Sequence, residues 1–282
     1  MKKLIAVVAA SAFALAACAA PSSTDSASAG ASSGASTAAG EGGKLGTLKV
    51  GATASPEAEI IQYVIDSGQA ERAGLVVEIQ EFSDYTTPNQ ALADGSNDAN
   101  LFQHQPFLDE YLANNPNDKI VTVGPVHLTP MAVYSKTLKS IDELGEGARL
   151  AIPNDPSNEA RALELLSREG LIKVEQDATS IDQITDNPKK LEIRELEAAT
   201  LPSALDDFDA AAINYNYAAG AGLTAESQIA VEPQDSVWYN IVATREELKD
   251  DPRITTFYSL LTSDETKKWM ETEWKGLVIP AP

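Results

Sequence analysis

Reactive side chains are scarce in this sequence. One cysteine, Cys18, and two histidines, His104 and His127, occur among 282 residues. With one cysteine no disulfide can form within the chain, so the folded part must rely on its core. Beyond position 18 no thiolate remains as a nucleophile or zinc ligand. The two histidines lie in separate segments, and there is neither a paired-histidine helix motif nor a glycine-rich phosphate loop. The Asp and Asn residues between Asp94 and Asn100 lack calcium-loop spacing and read as turn residues. No catalytic residue, metal site or cofactor is therefore expected. A hydrolase using carboxylates alone is the remote alternative, because acids are plentiful. Basic residues are outnumbered, 21 against 42 acids, for a formal charge of −21. Such a field disfavours nucleic acid and anionic lipid as partners. Its plainest role is to keep the protein soluble. Nothing after residue 17 is apolar enough for long enough to be a transmembrane helix.

What is present begins with a leader. Met1-Lys2-Lys3 is followed by an uncharged stretch from Leu4 to Ala17. It is short for a bilayer-spanning helix, which needs about 20 residues. A basic start, a short apolar run and small residues at its end make a secretory signal over residues 1–17. The run closes on Leu15-Ala16-Ala17-Cys18, which resembles the lipobox of bacterial lipoproteins. In that class the cysteine is acylated and becomes the mature N-terminus, facing the extracytoplasmic side of a cell membrane. An ordinary signal peptide with a chance cysteine is the competing reading. Losing Lys2 and Lys3 takes the charge to 19 − 42 = −23. Ala19 to Gly43 is nearly all Ser, Ala, Gly and Thr and cannot offset the entropy of ordering. Residues 18–46 thus read as a lipidated start and flexible linker, with a reach of about 30 Å. Within it, Gly30-Ala31-Ser32-Ser33-Gly34 matches the nucleophile-elbow pattern, but without the strand and helix that an elbow needs.

Residues 47–282 are enough for one large domain or two small ones. Strand patterns fall at Leu48–Ala52, Leu75–Phe82, Ala99–Phe102, Ile120–Val126, Met131–Tyr134, Leu150–Ile152, Leu191–Glu197, Ala210–Asn214 and Tyr239–Thr244. Helical patterns fall at Pro56–Gly74, Pro88–Asp94, Pro106–Ala113, Glu159–Gly170, Leu201–Asp207, Ile254–Leu261 and Asp264–Glu273. The alternation predicts an α/β architecture with mostly parallel sheets. Ligands in such folds bind beyond the carboxyl ends of strands.

Four segments place polar or aromatic groups at strand ends. Phe82-Ser83-Asp84-Tyr85 is one. In Asn100-Leu101-Phe102-Gln103-His104-Gln105-Pro106-Phe107, Phe102 and His104 lie two apart on extended chain and share a face, as one wall of a pocket. Core packing is the other reading of such rings. In Ile152-Pro153-Asn154-Asp155-Pro156-Ser157-Asn158-Glu159-Ala160-Arg161, a helix starts near Asn158. Its free N–H groups suit a carboxylate. Arg161 in its first turn opposes the helix dipole, which a bidentate carboxylate partner would explain. A surface ion pair with Glu159 or Glu164 would explain it too. Asp155 reads as a turn cap. Last come Ile213-Asn214-Tyr215-Asn216-Tyr217 and Trp238-Tyr239-Asn240. Buried Asn binds ammonium or carboxylate without adding charge, although Asn also serves turns and caps.

Asn100-Leu101-Phe102-Gln103-His104, Ile152-Pro153-Asn154-Asp155-Pro156-Ser157-Asn158, Ile184-Thr185-Asp186-Asn187-Pro188-Lys189 and Ile213-Asn214-Tyr215-Asn216-Tyr217-Ala218, in that order behind a lipobox, resemble the NlpA/MetQ family. Its members are substrate-binding lipoproteins of methionine ABC importers. The resemblance covers essentially all of residues 47–282. It implies a two-lobed fold of the periplasmic-binding-protein type II kind, with the ligand enclosed between lobes. Lobe one would hold residues 47–128 and 243–282, and lobe two 129–242. It implies that Tyr85, Phe102 and His104, with Phe107 beside them, surround a methionine side chain. Arg161, helped by Asn158, would take the carboxylate. Asn214 or Asn216, with Asn240, would hold the amino group. Many members carry Tyr where this chain has Phe107, so one hydroxyl is missing. The implied partners are methionine (the L-isomer, with the D-isomer or a methionyl dipeptide as alternatives), an ABC permease with its ATPase, and a membrane reached through lipid on Cys18. Another apolar amino acid or a short peptide is the alternative cargo.

Overall fold

The computed structural model describes residues 44–234 and 238–282. The expected signal peptide, Cys18 and the linker up to residue 43 lie outside the described residues.

The chain opens with β1 (Gly46–Thr53), which buries Leu48, Val50 and Ala52. The single helix expected over Pro56–Gly74 is broken. A π-helical turn, Ala54–Ala58, leads into α1 (Glu59–Asp66), and α2 (Gln69–Arg72) follows. The break falls at Gly68, whose φ of 75° is left-handed and suits a residue without Cβ. Then come β2 (Leu75–Phe82), α3 (Thr87–Ala93), β3 (Ala99–His104), α4 (Gln105–Asn114) and β4 (Ile120–Leu128). Only Thr129, Pro130 and Met131 separate β4 from β5 (Ala132–Tyr134). The chain continues through β6 (Arg149–Pro153), α5 (Pro156–Arg168), β7 (Lys173–Val174), β8 (Ile184–Asp186) and β9 (Glu192–Leu196). Next are α6 (Leu201–Ala204), β10 (Ala210–Ile213), α7 (Tyr215–Gly220) and β11 (Gln228–Val231). It ends with β12 (Asn240–Arg245), α8 (Pro252–Leu261), α9 (Asp264–Trp274) and β13 (Ile279–Pro280).

These strands form two principal sheets, ordered β13-β4-β12-β3-β1-β2 and β11-β5-β10-β6-β9, while β7 and β8 pair as a hairpin. Each principal sheet is the centre of one α/β lobe. The expectation of mostly parallel sheets needs correcting. β2-β1-β3 and β9-β6-β10 are parallel, but β12, β4 and β13 in one sheet and β5 and β11 in the other pair antiparallel. Strand direction depends on how the chain returns between lobes, and side-chain alternation carries no record of it.

The first core packs Leu48, Val50, Ile60, Ile61, Val64, Phe257, Leu261 and Met270. The second packs Met131, Val133, Leu150, Ile152, Leu163 and Leu166. The strands that flank the two crossings between the sheets are neighbours at both ends. β4 neighbours β12 in one sheet, and β5 neighbours β11 in the other. Among the described residues, no helix is long and apolar enough to cross a membrane.

Candidate ligand-binding site

Three strands lead into helix starts around one space, and His104 and Asn214 of these starts line it. β3 ends at His104, whose Nδ1 accepts from the Phe107 backbone N–H at 3.3 Å and caps α4. β6 runs to Asp155, whose Oδ1 accepts from the Asn158 N–H at 2.9 Å and caps α5, the cap role expected of it. β10 ends before Asn214, the N-cap of α7. Asn240, the first residue of β12, sits across the ladder from His104. These strand ends carry both lobes' contributions to one enclosed cavity.

The cavity is tight, with a free volume of only about 20 Å³, well below the range of open small-molecule sites. All nine expected residues border it: Tyr85, Phe102, His104, Phe107, Asn158, Arg161, Asn214, Asn216 and Asn240. One end is aromatic. The rings of Tyr85, Phe102 and Phe107 form a triangle with centroid separations of 6.0, 5.7 and 5.8 Å, mostly tilted or edge-on. Tyr217 adds a fourth ring 4.8 Å from Tyr85. Burial pushes the Tyr85 phenol well above its ordinary range, so it stays a neutral donor. Its hydroxyl reaches Oδ1 of Asn216 at 2.5 Å.

The other end is polar. Because His104 Nδ1 accepts, its proton sits on Nε2, which lies 3.2 Å from Asn158 Oδ1. Burial and the nearby Arg161 charge hold this imidazole neutral, pulling its pKa down to about 3. Asn158 Oδ1 also accepts from Asn214 Nδ2 at 2.8 Å, and Asn158 Nδ2 donates to Asp155 at 2.8 Å. Asn158 thus ties the wall together more than it offers itself to a ligand. The expected free N–H groups at the helix start are also occupied. The Asn158 N–H meets Asp155, and the Ser157 N–H meets Glu110 at 3.2 Å. The short polar residues that start a helix here bring their own carboxylates to it.

Arg161 is 4% exposed. Its ion-pair partner is neither Glu159 nor Glu164 but Glu232. Nε contacts both Glu232 oxygens at 3.0 and 3.1 Å, and Nη2 contacts Oε2 at 2.5 Å and the Thr129 carbonyl at 2.9 Å. The Trp238 ring lies 5.6 Å from the guanidinium carbon. Guanidinium offers five N–H donors. Those on Nη1 make no hydrogen bond among the described residues. Among the described residues two acceptors also make no hydrogen bond: Asn214 Oδ1, which is buried, and Asn240 Oδ1. The arrangement is an apolar cage at one end, and a cationic edge with two carbonyl oxygens at the other.

The profile of the family described as NlpA lipoprotein matches residues 48–282. The chain belongs to that family. A probable D-methionine-binding lipoprotein MetQ from Vibrio cholerae is 42% identical over 81% of this chain and 86% of its own length. Outer membrane lipoprotein 1 from Mannheimia haemolytica is 37% identical over 99% of this chain and 98% of its own. Among solved structures, a nutrient binding protein from Burkholderia cenocepacia, bound to methionine, is 42% identical with a TM-score of 0.79. That match covers 83% of this chain and all of the other.

Within this NlpA family member, the sequence reading does not single out Glu57, Thr129 or Glu232. Thr129 lines the cavity, and Glu232 holds Arg161. Glu57 lies behind Asn240 and donates nothing to the cavity wall itself. No local pattern marks these residues, whose partners lie far along the chain. Gln103 borders the cavity too, but its amide is engaged with Asn89 and Asn100. No cluster of three or more metal-ligating side chains occurs among the described residues.

Proposed function

We propose that this lipoprotein captures methionine between its lobes and delivers it to an ABC importer. One observation carries the reading: an aromatic cage and an unspent zwitterion-binding set share one closed cavity. Tyr85, Phe102 and Phe107 would contact the thioether, at about 0.3–1.5 kcal/mol for each sulfur–ring contact. Nη1 of Arg161 would take the carboxylate. Asn214 and Asn240 would accept from the ammonium. Asn216, the alternative to Asn214, has its oxygen engaged by Tyr85, which favours Asn214. The relatives named for methionine binding support the same cargo.

The lobes are assigned as residues 47–128 with 243–282, and 129–242. Closure would be stabilised only by the ligand's differential affinity for the closed state. Acylated Cys18 and the Ser/Ala/Gly stretch after it would tether the protein to the extracytoplasmic face of a membrane, within reach of a permease and its ATPase. The likeness to an outer membrane lipoprotein over nearly the whole chain supports that anchor. The family's role and the character of the cavity favour capture over catalysis.

The test is titration calorimetry of the purified protein with L-methionine, D-methionine and methionyl dipeptides, alongside mass spectrometry of any ligand released on denaturation. Saturable heat with one of these is expected. Silence with all three, or release of a different compound, would overturn the reading.

A further inference from the structure

Behind the polar end of the cavity lies a buried carboxylate. Glu57 sits on the turn that follows β1 and is 1% exposed. Its Oε2 accepts from the Thr53 hydroxyl at 2.5 Å. Its Oε1 accepts from Asn240 Nδ2 at 3.0 Å and lies 3.1 Å from His127 Nε2. His127 and Asn240 face each other across the β4–β12 ladder, where the chain passes between the lobes. All three groups around Glu57 present donors to it, and the carboxylate only accepts.

This arrangement decides which way the Asn240 amide points. Were the amide reversed, its oxygen would face a carboxylate oxygen at 3.0 Å with no proton between them, and its one donor there, His127 Nε2 at 3.3 Å, is closer to that carboxylate at 3.1 Å. The amine end is therefore fixed against Glu57. The oxygen is left with no hydrogen bond among the described residues, on a residue that lines the cavity. A negative charge also stands one amide away from that oxygen, in surroundings without bulk water to screen it.

We propose that Glu57 is a positioning residue for the ligand's amino group, holding the Asn240 amide with its oxygen toward the cavity and supplying a negative charge behind it. This rests on the reading that the cargo is an amino acid such as methionine. Glu57 touches no ligand itself and acts through Asn240. A merely structural Glu57, bracing the chain passages through His127, would affect all ligands alike. A positioning Glu57 distinguishes ligands that carry an ammonium from those that do not.

The experiment compares L-methionine with 2-hydroxy-4-(methylthio)butanoic acid, in which a hydroxyl replaces the ammonium. Affinities are measured by calorimetry for the wild-type protein, Glu57→Gln, Asn240→Ser and the double variant. Glu57→Gln is expected to weaken methionine by about tenfold or more, the scale of a charge-assisted hydrogen bond. The hydroxy acid should lose less, about threefold, since its hydroxyl makes at most a neutral hydrogen bond to Asn240 and carries no charge to face Glu57. In the Asn240→Ser background, Glu57→Gln should leave the preference nearly unaltered. Equal losses for both ligands, or an undiminished effect without Asn240, would overturn the assignment. Should Glu57→Gln fail to fold by circular dichroism, Glu57→Asp gives the second reading. It withdraws the carboxylate by one methylene, and an unchanged preference there overturns the proposal. Failure of the wild-type protein to bind methionine would instead refute the functional reading on which this assignment rests.

Discussion

The Tyr85 hydroxyl donates to Asn216 Oδ1 at 2.5 Å, joining a residue that follows β2 in one lobe to a residue of α7 in the other. His104 and Asn158 make a second such contact at 3.2 Å. Both lie at the cavity wall, so closing the lobes would also assemble the site. Tyr85→Phe removes one of these links and keeps the ring. Methionine affinity should fall about threefold to tenfold, the worth of one neutral hydrogen bond. The ligand-free melting temperature should barely move. Calorimetry with small-angle scattering would check this, and an unchanged affinity would count against Tyr85 as a closing contact.

Arg161 and Glu232 are buried together, Glu232 also accepting from the Met131 backbone N–H at 3.1 Å, and removing the guanidinium takes away the cation this carboxylate faces. Arg161→Ala should abolish measurable methionine binding and cost about 3–5 kcal/mol of stability. Adding Glu232→Gln should recover most of that stability but none of the binding. Denaturant unfolding and calorimetry on the same samples separate the two effects. Recovery of binding in the double variant would show that the guanidinium is not the carboxylate's partner.

Sulfur selectivity should reside in the ring triangle. Norleucine has the length of methionine without its thioether, so the aromatic contacts set the difference. Phe107→Leu should reduce the preference for methionine over norleucine by about twofold to tenfold, at 0.3–1.5 kcal/mol for each lost sulfur–ring contact. Competition between the two ligands would measure it. Should the preference survive, packing volume rather than the rings selects the cargo.

Two buried groups give stability opposite pH dependences. His104 has its folded pKa lowered to about 3 by burial and by Arg161. Its contribution is whole above the ordinary histidine value near 6.5 and is lost as pH falls from there toward 3. Glu159 has its folded pKa raised to about 8, first by burial and then by its contact with Glu195. Its contribution is whole below about 4.3, the ordinary glutamate value, and is lost as pH rises through 8. His104→Gln should therefore flatten the acid side of the stability profile, and Glu159→Gln the side between pH 5 and 8. Chemical unfolding across pH 4 to 9 tests both. Profiles parallel to wild type would contradict these shifted ionisations.

Much of the site is legible locally because its residues sit where strands hand over to helices. His104 before a proline, the Asn-Asp-Pro-Ser run and Asn214 after an apolar strand all carry cap and turn chemistry at short range. Phe102 and His104 share a face by strand alternation alone. The partners behind them leave no such trace. Glu232 meets Arg161 across 71 positions, and Glu57 meets Asn240 across 183. Each is one acid among many until the fold closes. The break at Gly68 and the antiparallel half of each sheet are likewise set by how the chain returns. Periodicity reads only the buried face.

The two passages between the lobes leave neighbouring strands β4 and β12 and arrive on neighbouring strands β5 and β11. Anchored on neighbouring strands at both ends, they would behave as a paired strap rather than two separated posts. A paired strap bends easily about one axis and resists torsion and shear. Closure on a ligand would then follow one soft coordinate, and occupancy of the cavity would be written along it. A transporter that senses only the angle between the lobes would need no contact with the cargo to know that it is aboard.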